Sequence, residues 1–218
     1  FGEVAGQWQQ VVACVSAASM VIGALGAIRQ NNIKRLLAYS SIGHAGYALM
    51  GLAVATPEGI SAILIYLTLY TTMSLGVFAC VMMMRFGGDA LERIEDFSGL
   101  ARSHPMRAIA VAVFMFSLAG IPPMAGFFGK YFIFLAVIDA EYYALALIGV
   151  LSSVVGAYYY LRVVKVMYFD DPKGSLDKDV PTEMGMVAFV AATFNVLFFL
   201  SPTLLFVIAQ MAVRALFV

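Results

Sequence analysis

Long apolar stretches, each closed by a short cluster of polar and charged residues, dominate the chain. Six can be drawn, at 11–28, 33–55, 60–84, 108–138, 144–166 and 187–217. About 20 apolar residues carry a helix through a hydrocarbon core about 30 Å thick. All six runs are far longer than strands, and none sustains the alternation of a half-buried strand. Lipid leaves a spanning backbone two ways to satisfy its own hydrogen bonds, helices and closed barrels, and this pattern selects helices. The predicted fold is all-α, a polytopic transmembrane bundle of about six spans.

The fourth run departs from the others. Its 31 residues would make about 46 Å of straight helix at 1.5 Å per residue, too long for one crossing, and Gly120, Pro122 and Pro123 interrupt it. Each proline removes a backbone donor and clashes with the preceding turn, so carbonyls between Phe116 and Ala119 lose partners. The run therefore predicts one discontinuous helix over 108–138. A bare kink for packing is one reading of such a break; a break that lines a hydrated cavity, as in transporters, is the other.

Lys130, just past the break, favours the second. A lysine in mid-span costs about 3 kcal/mol on insertion scales, and such residues face the bundle interior and mark ion or proton paths. No acidic residue falls inside a predicted span, so this lysine has no carboxylate partner in view and is a candidate for proton exchange. The alternative is a snorkelling side chain whose head reaches the interface. In the second span, "NIKRLLAYSSIGHAGY" places Lys34, Ala38, Ser41 and His44 or Ala45 at intervals of three or four, predicting one polar helix face. His44 falls near the midplane, as either a structural histidine or a relay, since an unperturbed imidazole titrates near 6.5. Lys34 reads equally as part of that path and as an interfacial anchor beside Arg35. Thr71 and Thr72 in the third span are, with Ser41, candidate polar lining; hydroxyls that pack neighbouring helices account for them as well. "AYYYLR" at 157–162 reads as an interfacial aromatic belt with its basic anchor.

Composition agrees with a membrane protein: 62% hydrophobic and 12% charged, against roughly 25% charged in soluble domains. Thirteen basic and 13 acidic residues cancel, so charge gives no reason to expect a nucleic-acid partner. Their placement is informative. Arg29, Lys34, Arg35, Arg85, Arg93, Arg102, Arg107, Arg162, Lys165, Lys173 and Lys178, 11 of the 13, fall on one set of connections, which should be cytoplasmic. Both chain ends and the loops around Pro57 and Asp139 are then external. Two hydrophilic connections lie on the basic side. One, "RFGGDALERIEDFSGLARSHPMR", predicts a short amphipathic surface helix from Leu91, Ile94 and Phe97; the other, containing Ser175, is a Pro- and Asp-rich turn region. Cys14 and Cys80 read as buried apolar residues without a disulfide framework. No phosphate loop, dinucleotide fingerprint, HExxH or CxxC is present, so no cofactor and no metal is expected on this chain. With no initiator Met and no leader pattern, it reads as a fragment.

"NIKRLLAYSSIGHAGY", "FSLAGIPPMAGFFGKYFIF" and "GAYYYLRVVKVMYF" closely resemble the antiporter-like membrane subunits of respiratory complex I, in one register from about residue 10 to residue 170. Among these the N type of the bacterial NADH:quinone oxidoreductase fits best, since the site before "YFIF" is lysine in L and N types and glutamate in M, and the L type continues into a long lateral helix. The resemblance implies that residues 1–170 form the second of two inverted five-helix repeats, and that 171–218 form a cytoplasmic connection and the final transmembrane helix. It implies a proton-translocating subunit of the bacterial inner membrane, with Lys130 exchanging protons with the external side and Lys34 and His44 on the connecting axis. NADH and quinone would be used by the whole complex and bound by other subunits, and the partners would be other membrane-arm subunits, M-type and K-type neighbours included. The first repeat, with the lysines and glutamate the family carries there, is missing from the sequence, so this half should not pump alone. A related cation/proton antiporter subunit and a structural scaffold are the alternatives.

Overall fold

A computed structural model describes residues 5–172, 176–177 and 181–216, apart from the side chains of Ala5, Gln7 and Leu216. Lys173, Ser175 and Lys178, named above, lie outside the described residues. The long helices are α1 (Ala5–Ile28), α2 (Ile33–Ala53), α3 (Pro57–Met82) and, after the first hydrophilic connection, α5 (Pro105–Ala119), α6 (Ala125–Asp139), α7 (Tyr143–Phe169), α8 (Thr182–Leu197) and α9 (Pro202–Leu216). Local chemistry sets several of the starts. Asn32 caps α2 by accepting the Arg35 N–H at 3.0 Å, Thr56 caps α3 by accepting that of Gly59 at 3.0 Å, and Pro57 and Pro105 occupy first turns that need no donor.

The outer surface suits lipid. On α7, Leu147, Leu151, Val154, Tyr158 and Leu161 recur every three or four residues and are exposed, a continuous apolar stripe with no water-soluble counterpart. The inner surface is closely packed. A Cβ on Gly23 of α1 would meet the Gly43 amide nitrogen of α2 at 2.5 Å, so these two helices approach to backbone distance through small residues. Two apolar clusters fill the interior. One, toward the basic connections, holds Leu36, Val77, Phe97, Phe114 and Met167; the other holds Met20, Met50, Ala53, Ile133 and Val137.

The first connection differs from the expected surface helix. Arg85–Phe86 and Asp89–Ala90 pair antiparallel as β1 and β2 across Gly87 and Gly88, both at positive φ (61° and 88°), the two-residue turn that matches strand twist. A 3₁₀ turn, Ile94–Phe97, and the one-turn helix α4, Leu100–Ser103, follow. Leu91, Ile94, Phe97 and Leu100 repeat every third residue, which is the 3₁₀ period. Ile94, Phe97 and Leu100 are buried beneath the bundle instead of lying on a membrane surface.

The sixth run also differs. It is interrupted at Ser201–Pro202, with a 3₁₀ turn at Phe198–Leu200 between α8 and α9. Its 31 residues exceed one straight crossing for the same reason as the fourth run. Both α8 and α9 pack along α3: Met184 and Val187 face Ala79 and Met82 near its end, Phe198 and Leu204 face Thr68, and the pair traces α3 backwards.

Candidate functional site

The two prolines decide the chemistry of the break. In an α-helix the carbonyl of residue i accepts from the N–H of residue i+4, so Leu118 and Ala119 would be served by residues 122 and 123, which are prolines and have no N–H. Upstream, Gly120 adopts φ 83° and closes α5: its N–H lies 3.1 Å from Phe116 O and 2.9 Å from Ser117 O, and the Ile121 N–H donates to Phe116 O at 3.0 Å. Local capping thus covers Phe116 and Ser117 and leaves two consecutive carbonyls.

Lys130 serves both. From the second turn of α6 its Nζ donates to Leu118 O at 3.2 Å, to Ala119 O at 2.9 Å and to Ser153 Oγ of α7 at 2.9 Å. These use all three N–H donors of an ammonium. The residue is 7% exposed, so its head group stays inside the bundle and does not snorkel. Two features balance the charge without a carboxylate: the negative end of α5 points at it, and the Tyr47 ring lies 5.3 Å from Nζ. The ion pairs among the described residues, Lys34–Glu92, Arg93–Glu95 and Arg102–Asp171, all lie at the connections. Ser153 is the versatile partner. A hydroxyl accepts from an ammonium and can donate to an amine, so it can stay bonded in either protonation state.

His44 shares a cavity with Lys130. The space is about 10 Å³ for water centres, lined also by Ser40, Tyr47, Ser152, Ser153, Tyr159 and Tyr160, roughly the room one water needs. His44 Nδ1 is 2.7 Å from the Tyr66 hydroxyl and Nε2 is 3.1 Å from that of Tyr160. The Tyr160 hydroxyl is in turn bonded to Ser40 Oγ, and the imidazole stacks on Tyr70 at 4.6 Å. Every hydroxyl in the series Ser40–Tyr160–His44–Tyr66 can donate or accept, and a neutral imidazole does one at each nitrogen. The series can therefore reverse its polarity without moving a heavy atom.

Other expected residues lie elsewhere. Lys34 lies about 15 Å of helix rise before His44, and the burial pattern of α2 separates them, so the single polar face drawn through both is corrected on this ground. His44 belongs with Ser40 and Tyr47, which are buried, whereas Ala38 and Ala45 are exposed. Lys34 Nζ pairs with Glu92 Oε1 at 2.6 Å at the membrane edge, the two side chains 42% and 43% exposed. Bonds from Lys34 and Asn32 hold the Glu92 carboxyl below its usual range. Ser41 donates back to Leu37 and Ala38 carbonyls, Thr71 to Leu67 and Thr72 to Leu69, so none of the three lines this cavity. Ser40, one residue away, takes the place expected of Ser41. The aromatic belt at 157–162 splits: Tyr158 is exposed, and Tyr159 and Tyr160 are buried in the site. No sequence pattern marks Ser117 or Ser153; the signal for Asn195 is that it is the one side-chain amide of α8, in an otherwise apolar stretch.

Fold and site together define a polytopic membrane protein with a broken helix whose free carbonyls hold a buried lysine. Residues 1–156 match the family described as NADH:quinone oxidoreductase/Mrp antiporter, TM, and the chain belongs to that family. It is 56% identical over 210 residues (96% of this chain, 44% of the relative) to NADH-quinone oxidoreductase subunit N of Azorhizobium caulinodans. It is 50% identical over 216 residues (99% and 45%) to the subunit of that name from Parvibaculum lavamentivorans. The chain spans a little under half the length of these relatives. Its fold is similar to a chain of respiratory complex I from Thermus thermophilus with bound aureothin, with TM-score 0.79, 32% identity, and 90% of this chain and 44% of that one covered. At 22% identity, a chain of the Mrp complex from Dietzia sp. DQ12-45-1b shares the fold alone, with TM-score 0.84 and coverage of 95% and 47%.

Proposed function

We propose that this chain is half of an N-type subunit of a bacterial NADH:quinone oxidoreductase, the second inverted repeat with the final helix, and that it conducts protons while quinone is reduced elsewhere in the complex. The observation that carries the reading is Lys130, a buried lysine whose Nζ is bonded to two carbonyls orphaned by prolines and to one reversible hydroxyl. Such a site can take up and release a proton without leaving a buried anion behind. Lys130 exchanges with the external side, the His44–tyrosine series supplies it from within the bundle, and Lys34 stands at the cytoplasmic entrance. Other membrane-arm subunits, M-type and K-type included, complete the path and its coupling; this chain itself carries no redox step. The family relationship to subunits of such a complex supports this assignment.

Lys130→Arg keeps the charge and removes the ability to lose the proton, since a guanidinium stays protonated up to about pH 12; Lys130→Ala removes both. In assembled complex, checked by native gel, the arginine variant takes up about as few protons per NADH oxidised in inverted vesicles as the alanine variant. Uptake at the wild-type ratio would make Lys130 a fixed charge and sink the reading. Sodium/proton exchange in vesicles without NADH would favour an autonomous antiporter. Orientation has its own check: with Cys14 and Cys80 replaced by alanine, a cysteine at Ser103, which is exposed, reacts with an impermeant thiol reagent from the cytoplasmic face only.

A further inference from the structure

Two fully buried polar side chains stand at the break with no task in the proton path: Ser117 and Asn195, both 0% exposed. Ser117, in the last turn of α5, accepts the Gly126 N–H of α6 at 3.0 Å and donates to Asn195 Oδ1 of α8 at 2.8 Å. Met73 Sδ also lies 3.0 Å from the hydroxyl, but there is one proton to give and the amide oxygen is the stronger acceptor. The amide cannot be turned round. Its Nδ2 donates to Ala191 O at 2.9 Å, and a carbonyl only accepts, so Oδ1 must face Ser117.

This bond runs parallel to those of Lys130. Gly126 and Lys130 are one turn apart on α6, and Ser117 adjoins Leu118 and Ala119 on α5, so the Gly126–Ser117 contact and the lysine contacts are two rungs of one helix crossing. The lysine rung loses a donor whenever the ammonium becomes an amine. The serine rung does not change. A Cβ on Gly126 would lie 1.8 Å from Ser117 O, so α6 already sits against α5 without slack.

We propose that Asn195 is a positioning residue for proton exchange at Lys130: by holding the Ser117 hydroxyl on the Gly126 amide, α8 keeps α6 in register with α5 through both states of the lysine. Asn195 does not line the cavity and acts through Ser117. The inference rests on the reading of Lys130 as the exchanging group.

The test uses assembled complex in inverted vesicles. Asn195→Leu removes the acceptor at similar size, and Asn195→Asp, as the neutral acid, keeps an oxygen toward Ser117 and an O–H donor toward the Ala191 carbonyl. Asn195→Leu is expected to oxidise NADH and take up fewer protons per NADH, a loss between wild type and Lys130→Ala, with Asn195→Asp recovering most of it. Ser117→Ala reproduces the loss, and the double variant loses no more than either single one, because both act through one bond. Where Asn195→Leu fails to assemble, the smaller Ser117→Ala change carries the same expectation. A purely structural role would lower the amount of complex and leave the ratio at wild type in what assembles; that result overturns the inference. A loss in Lys130→Ala without one in Asn195→Leu or Ser117→Ala defeats this inference alone, whereas a wild-type ratio in Lys130→Ala defeats the reading beneath it.

Discussion

Two prolines break the fourth apolar run and one breaks the sixth, yet the two interruptions have opposite characters. At the sixth, Pro202 deprives Phe198 of its α-helical donor, and the chain repairs the loss locally: the Ser201 N–H reaches Phe198 O at 3.1 Å. Packing completes the repair, with Phe198 against Phe128 and Phe194, both at 5.6 Å between ring centroids. At the fourth, two successive carbonyls are orphaned while the chain turns away through Gly120, so no nearby N–H can return to them. They are served from another helix, by the Nζ of Lys130. A proline in a membrane helix is thus not by itself a site. It becomes one when consecutive carbonyls stay open and face a donor that can change its protonation.

The largest effect should come from filling the first crossing. Gly126→Ala places a methyl group 1.8 Å from the Ser117 carbonyl, and forcing the helices apart costs about 3 kcal/mol, read as loss of assembled complex. Gly185→Ala, near the start of α8 and away from either break, where nothing lies within 4 Å, gains up to about 1 kcal/mol of helix propensity; an equal loss there would show that the Gly126 effect does not come from the close crossing.

Stranding the hydroxyls beside the first break comes next. His44→Phe leaves Tyr66 and Tyr160 without their imidazole partner, about 1–3 kcal/mol for each group that finds no other, and lowers proton uptake per NADH more than it lowers assembly. Unchanged uptake would return His44 to a structural role.

Exchanging the prolines sharpens the contrast. Pro123→Ala offers Ala119 O a backbone donor that competes with Lys130, so uptake falls; Pro202→Ala leaves the ratio at wild type. Equal falls would abolish the distinction between a charged and an uncharged break.

The smallest effect belongs to Lys34 and Glu92, an exposed pair that salt screens. Because the Glu92 carboxyl is held low, the pair contributes above the ordinary carboxylate range and its contribution is lost as pH falls through the lowered value. Thermal unfolding of wild type against Glu92→Gln should therefore differ at neutral pH and low salt and converge in acid.

The apolar helices were legible because length and apolarity are properties of a segment taken alone, and the fourth run's break because Gly120, Pro122 and Pro123 act within a single turn, whereas the sixth run's break at Pro202 was not. The site was half legible. Lys130 stands out as charge where charge is costly, but the spacing points to Ser41 where Ser40 lines the cavity, and neighbouring residues on a helix point 100° apart. Tyr160 looked interfacial because belt and core tyrosines share a composition; burial separates them from Tyr158. In the first connection the three-residue spacing was seen, but its period belongs to a 3₁₀ turn as readily as to a surface helix.

By itself the sequence determined that this is a membrane bundle, where its fourth crossing fails, and that a lysine follows the failure, since each depends on local periodicity, proline chemistry or the cost of charge in lipid. Only the tertiary structure decided that the lysine caps the very carbonyls the prolines orphan, that His44 bonds tyrosines from α3 and α7, and that Asn195 reaches Ser117 across 78 residues. Those pairings depend on how helices far apart in the chain rotate and approach, and a shift of one residue turns each side chain by 100° to face something else.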